Sequence, residues 1–211
     1  MTRLSESTVL AAGADLVRAR GVDALGVRSL ADRLGVTPMA LYRHVGDAEM
    51  LHASVVEVIL ADLPKPGAAG ALDDRLRAWA LDARSMLGGY PGLARHLLIH
   101  WFESPVALDV VESLLRAGAD AGLVDFECVA AANAVFTYVL MRVEAETSVR
   151  AARVVTRKLR PVARDPGRYP LAHRYSAQFT TARLDAHFTY GLDALLVGVV
   201  AASTRERGGV R

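Results

Sequence analysis

Six side chains in one short window are of the kinds that touch nucleic acid: Arg28, Thr37, Met39, Tyr42, Arg43 and His44. A guanidinium can grip a phosphate or bracket the acceptor edge of guanine through two parallel N–H bonds. Tyrosine and histidine can donate to phosphate oxygens, and methionine can make apolar contact with a thymine methyl. Thr37 and Pro38 add the start of a helix, whose free amides favour an anion. Any one of these would be an ordinary surface residue. Their joint placement on one face is what points to DNA.

The elements that must hold these residues are legible in the same stretch. Arg28 to Leu34 carries Leu30, Ala31 and Leu34 on one helical face. Gly35 can take the positive φ that ends a helix, and Val36 can plug the gap that follows. Thr37 then caps a second helix with Pro38 at its first position. Leu41 and Val45 face inward from it, which leaves Thr37, Met39, Tyr42, Arg43 and His44 outside. Two short helices around such a turn form a helix-turn-helix, whose second helix enters the major groove. Ser5 or Ser7 caps a preceding helix with Val9, Leu10, Ala14 and Val17 near one face, ending at Gly21. That helix supplies the apolar floor, because two short helices bury too little alone. Asp47 caps a fourth helix through Leu51, Val55, Val58 and Ile59 that ends before Pro64.

SLADRLGVTPMALYRHVGDAEML resembles the DNA-binding segment of TetR-type transcriptional repressors in its leucine-alanine pair, Leu-Gly-Val turn and Leu-Tyr-x-His run. HFTYGLDALLVGV, near the C-terminus, is similar to the dimerisation helix of the same family. The resemblance implies a dimer on a palindromic double-stranded operator and a cavity for a small-molecule effector in the C-terminal part. On the outward face the candidate DNA contacts are Arg28, Thr37, Pro38, Met39, Tyr42, Arg43 and His44. One departure stands out: the family commonly has a phosphate-binding lysine where this chain has Ala48.

The rest of the chain must then carry the effector and the partner. The 211 residues are 52 % apolar and 23 % charged, a globular composition, and the net charge of +2 leaves DNA affinity to a local surface. The lone Cys128 excludes an internal disulfide and reads as a core thiol. The N-terminus lacks a signal-peptide pattern, and Asp185, His187 and Asp193 interrupt the most apolar stretch, so no membrane span and a cytoplasmic location are expected. LPKPGAAG, from Leu63 to Gly70, denies helix and reads as a hinge. It divides the chain into a DNA-binding domain with its connecting helix (1–63) and a ligand-binding and dimerisation domain (64–211).

No strand pattern appears beyond it, so the fold class is all-α. Helices are expected at Leu72 to Leu87, with Leu76, Trp79, Ala80, Ala83 and Leu87 inward, then around Leu93 to Ile99, from a Ser104-Pro105 cap to about Ala121, and from Phe126 to about Arg153 with Asp125 as its cap. The basic run Arg150 to Arg168 contains prolines and glycine and reads as a solvated helix end and loop. In the last helix, Phe188, Leu192, Leu195 and Val199 form a heptad-like seam suited to dimerisation, beside small residues Gly191, Ala194, Gly198 and Ala201.

His96, His100, Trp101, Phe136, Met141 and Glu144 are the candidate effector-binding residues: aromatic and Met side chains with a few polar groups suit a small-molecule pocket between helices. An enzyme would pair His96 or His100 with Glu103 or Glu144 as base and orienter. The chain holds no nucleophile elbow, phosphate-binding loop or His-Glu-x-x-His, so neither catalysis nor a cofactor or metal is expected. The expected function is a dimeric repressor released from its operator by a ligand. The alternatives are a ligand-independent regulator or activator, and a small-molecule binder without DNA binding.

Overall fold

The structure is a computed structural model that describes residues 4–152, 162, 165–179 and 183–205. Most of the basic run, including 153–161, lies outside the described residues. Ten α-helices are described, and no strand occurs among the described residues. In order they are α1 (Glu6–Arg20), α2 (Val27–Leu34), α3 (Pro38–Val45), α4 (Ala48–Leu60), α5 (Leu72–Leu87) and α6 (Leu93–His100). Then follow α7 (Pro105–Asp120), α8 (Asp125–Ala152), α9 (Pro170–Arg174) and α10 (Leu184–Arg205). Short 3-10 turns at Val22–Ala24, Trp101–Glu103 and Ser176–Phe179 connect some of them.

The boundaries fall where side chains can satisfy the free amides of a first turn. Ser5 accepts from the Thr8 amide at 3.2 Å, Thr37 from Ala40 at 3.3 Å, Asp47 from Met50 at 2.8 Å and Ser104 from Ala107 at 3.1 Å. Gly35 closes α2 in the left-handed conformation at φ 66°. Asp125, expected as a cap, instead opens α8 at φ 42°, and the Val124 carbonyl takes the first helical bonds. Aspartate tolerates that conformation better than most residues.

One continuous core runs through both halves of the chain. Leu30, Leu41, Leu51 and Leu60 fill the N-terminal part, and Leu76, Leu87, Leu97, Leu114, Leu140 and Phe188 fill the rest. The α5 stripe is buried as expected, from Leu76 through Trp79, Ala80 and Ala83 to Leu87. On α4 the buried face is centred on Val55, Val56 and Ile59, so Val58, expected inside, is exposed. Cys128 is half-buried, its thiol donates to the Leu115 carbonyl at 3.0 Å, and burial pushes its pKa up.

The proline segment is strapped down. Its carbonyls have no helical partners, and α5 supplies them: Trp79 Nε1 donates to Pro64 O at 2.8 Å and the buried Arg75 Nε to Gly67 O at 2.6 Å. Arg75 also meets Asp120 at 3.3 Å, and Lys65 meets Asp109 at 3.0 Å. A free hinge is therefore corrected to a pinned connector.

The last helix corrects the expected dimer seam. Phe188 and Leu192 are fully buried within a single chain and Val199 nearly so, with Leu195 half-buried. They pack toward α5 and α8; Tyr138 of α8 lies 5.5 Å from the Phe188 ring and donates to the Phe188 carbonyl at 2.8 Å. Gly191 belongs to the same contact, since a Cβ there would stand 2.3 Å from the Tyr138 oxygen. Large side chains fill the chain's own core, so the face left open is the one two residues along, about 200° around the helix. It carries Tyr190, Ala194, Val197 and Gly198. Asp185 and Asp193 anchor this helix through Arg84 and Arg77 of α5.

Candidate DNA-binding face and effector cleft

The helix-turn-helix presents the expected face. Leu41 and Val45 point into the core, while Arg28, Thr37, Pro38 and Arg43 are exposed, Met39 and Tyr42 lie open and His44 is half-buried. Among the described residues neither Arg28 nor Arg43 has a carboxylate partner, whereas Arg33 is turned back to Asp15 at 3.7 Å. The two arginines thus offer undiminished charge on a surface built by two rigid helices. The Thr37 hydroxyl is spent on the cap, so Met39, Tyr42, Arg43 and His44 are the side chains of α3 free to meet DNA. Ala48 begins α4 between Asp47 and Glu49, an acidic edge to this face.

The predicted effector residues are only partly brought together. His96 and His100 stack on α6 with ring centroids 4.8 Å apart, and His100 Nδ1 lies 3.2 Å from Glu103. His52 of α4, which no local pattern marks, stands 5.2 Å from His96. Clefts of about 400 and 410 Å³ flank these three rings. Trp101 meets Phe136 at 6.0 Å, and Phe136 in turn stacks on Trp79 at 6.3 Å, which makes an aromatic wall behind α6. Met141 is exposed on the outer face of α8, away from any such wall, and is corrected to a surface residue. Glu144 has one buried oxygen without a partner, and its other oxygen accepts from Ser148 at 3.0 Å.

The DNA-binding unit also touches the second unit directly, which sequence reasoning missed. The Val22 amide donates to Pro91 O at 2.9 Å, Arg18 donates to the Tyr90 hydroxyl, and Arg95 reaches Asp23 at 2.6 Å. Glu57 of α4 accepts from the Val106 amide at 3.4 Å. Besides the covalent path through α4, then, the end of α1 and the turn after it are tied to the α5–α6 turn and the start of α6.

Comparison with known proteins agrees with this geometry. Residues 9–47 match the family of bacterial regulatory proteins, tetR family, and residues 63–202 match the tetracyclin repressor-like C-terminal domain. The class G tetracycline repressor of Vibrio anguillarum is 31 % identical over 204 residues, covering 94 % of each chain. Streptomyces coelicolor ActR in complex with actinorhodin superposes with a TM-score of 0.78 at 22 % identity, covering 98 % of this chain and 100 % of that one. BioQ with its double-stranded DNA operator does so at 0.67 and 26 % identity, covering 94 % and 99 %. The chain belongs to the TetR family: it is a DNA-binding transcriptional regulator with a tetracycline-repressor-like C-terminal domain.

Proposed function

We propose that this regulator is a dimeric repressor that binds a palindromic operator through α3 and leaves it when a small molecule occupies the clefts beside His96, His100 and Trp101. The observation that carries the reading is the pair of unpartnered arginines, Arg28 and Arg43, on a capped helix-turn-helix joined through α4 to those clefts. A two-fold dimer must hold its recognition helices about 34 Å apart to enter successive major grooves. A ligand that binds better to another spacing lowers operator affinity by its differential affinity for the two states. The lever is α4, whose His52 and Glu57 face the effector side. A TetR variant of Acinetobacter baumannii is solved in complex with minocycline and Streptomyces coelicolor ActR in complex with actinorhodin, and a flat polycyclic effector is the class this reading favours. No catalytic step is assigned: His100 and Glu103 form a pair at the surface, and the neighbouring Ser104 hydroxyl is occupied as the cap of α7, accepting from the Ala107 amide at 3.1 Å.

Titrating candidate aromatic ligands into the operator complex tests the release. Dissociation that tracks ligand binding is expected; a tight ligand that leaves operator affinity unchanged would remove the mechanism.

The acidic start of α4 gives a second expectation. Each phosphate neutralised by a cation contributes about 0.9 to the slope of log affinity against log salt. Ala48→Lys should therefore steepen that slope by about 0.9 for each half-site in which the new ammonium reaches a phosphate. Anisotropy titrations across salt read it directly, and identical slopes for both proteins would contradict it.

A further inference from the structure

The junction between the two units holds three titratable rings that DNA reading does not use. His52 stands on α4, and His96 and His100 stand one turn apart on α6, with centroid separations of 5.2 and 4.8 Å. The two flanking clefts share these three residues and no others in their linings. The rings are thus a partition between two open spaces, reached by solvent protons from both sides. We propose that His52 and His96, with the His100 ring stacked beside them, form a proton-sensitive latch between the DNA-binding unit and the second unit, closed when the His52 and His96 rings are neutral and opened, with loss of operator affinity, when they are protonated. The inference rests on the DNA-binding assignment and needs no effector.

The surroundings set how the latch responds. On one side stand Asp23 and Arg95, already paired with each other; on the other stand Glu49, Glu57 and Glu103. Glu57 is engaged by the Val106 amide and Glu103 by His100. Burial, and then the neighbouring rings, hold His52 and His96 below the ordinary imidazole value, with Asp23 and Glu103 acting in the opposite sense. The carboxylates ease one added charge; two charged rings about 5 Å apart repel across the α4–α6 gap. The sign follows. A histidine whose pKa is lowered in the closed junction favours closure above its free value of about 6.5, and that preference is lost as pH falls through the lowered value.

A metal is the other occupant that three histidines suggest. The rings stack at 27° and 48°, and no group of three His, Cys, Asp or Glu is placed to hold an ion among the described residues. Protons fit the stacked geometry better.

The test is operator affinity without effector at pH 7.5 and 5.5, at fixed ionic strength with a chelator present. The native protein is compared with His52→Gln, with His96→Gln and with the double variant. The DNA-binding face is identical in every protein compared, so its own response to pH cancels in the comparison. On acidification the native protein should lose operator affinity by on the order of fivefold relative to the double variant. Parallel curves overturn the proposal, and so does an effect that requires added zinc, which would assign the rings to a metal. If a variant folds poorly, imidazole NMR titration of the native protein decides alone. His52 and His96 titrating below the ordinary value, together with a shift of α4 amides, supports the latch; ordinary titration with unmoved α4 amides sinks it.

Discussion

Val197→Glu should leave the fold intact and abolish operator binding. Val197 is 72 % exposed in the single chain and Tyr190 81 %, one heptad apart on the open face of α10. The segment Leu184–Ala201 is long and apolar enough to cross a membrane, yet only 22 % of it is buried within one chain. Its aspartates are held by Arg77 and Arg84, so the apolar face is the part that needs cover, and a second copy of the helix supplies it. A glutamate there meets its own image across the two-fold axis, two like charges in a closing apolar contact. Breaking such an interface costs several kcal/mol, on the order of 3–5. A monomer carries one recognition helix and reads half a site, so affinity for a full operator should fall at least on the order of a hundredfold. Circular dichroism should be unchanged, and light scattering should report half the native mass. A variant that stays dimeric and binds normally would place the interface elsewhere.

The second large effect is at Arg43. It lies on the exposed face of α3 with no carboxylate partner among the described residues, one residue from Tyr42, and Leu41 beneath fixes the helix against the core. Arg43→Ala removes a charge-assisted contact worth about 1–3 kcal/mol, and a two-fold dimer loses it twice, about 2–6 kcal/mol in all. Operator affinity should drop by on the order of thirtyfold or more with little change in melting temperature, since the residue buries nothing. A loss confined to specific DNA would assign Arg43 to a base edge. A uniform loss across sequences with a shallower salt slope would assign it to phosphate.

How far the chain could be read follows from where its information is local. Gly35, Thr37, Pro38 and Asp47 act within a turn of their own positions, so the helix-turn-helix and its outward face were legible. The α5 stripe was equally plain, because one apolar face at helical spacing admits one orientation. The last helix has two apolar faces, and which turns inward depends on Tyr138 and Arg84, contacts far away in sequence, so the heptad-like spacing of Phe188, Leu192 and Val199 does not by itself separate core from interface. His52 meets His96 only through the packing of α4 beside α6, and nothing near His52 announces it. The connector looked loose because its prolines forbid helix, while the side chains that pin it, Arg75 and Trp79, lie beyond it on α5. Met141 has the chemistry of a pocket residue, but its position on α8 turns it out.

Nuclease footprinting of the DNA flanking this regulator's own coding sequence tests the central claim most directly. Protection of an inverted repeat with half-sites one helical turn apart, lost together in Arg43→Ala and in Val197→Glu, is the predicted result. Protection of a single asymmetric half-site, or none at concentrations that saturate non-specific DNA, would contradict a dimer reading its operator through α3.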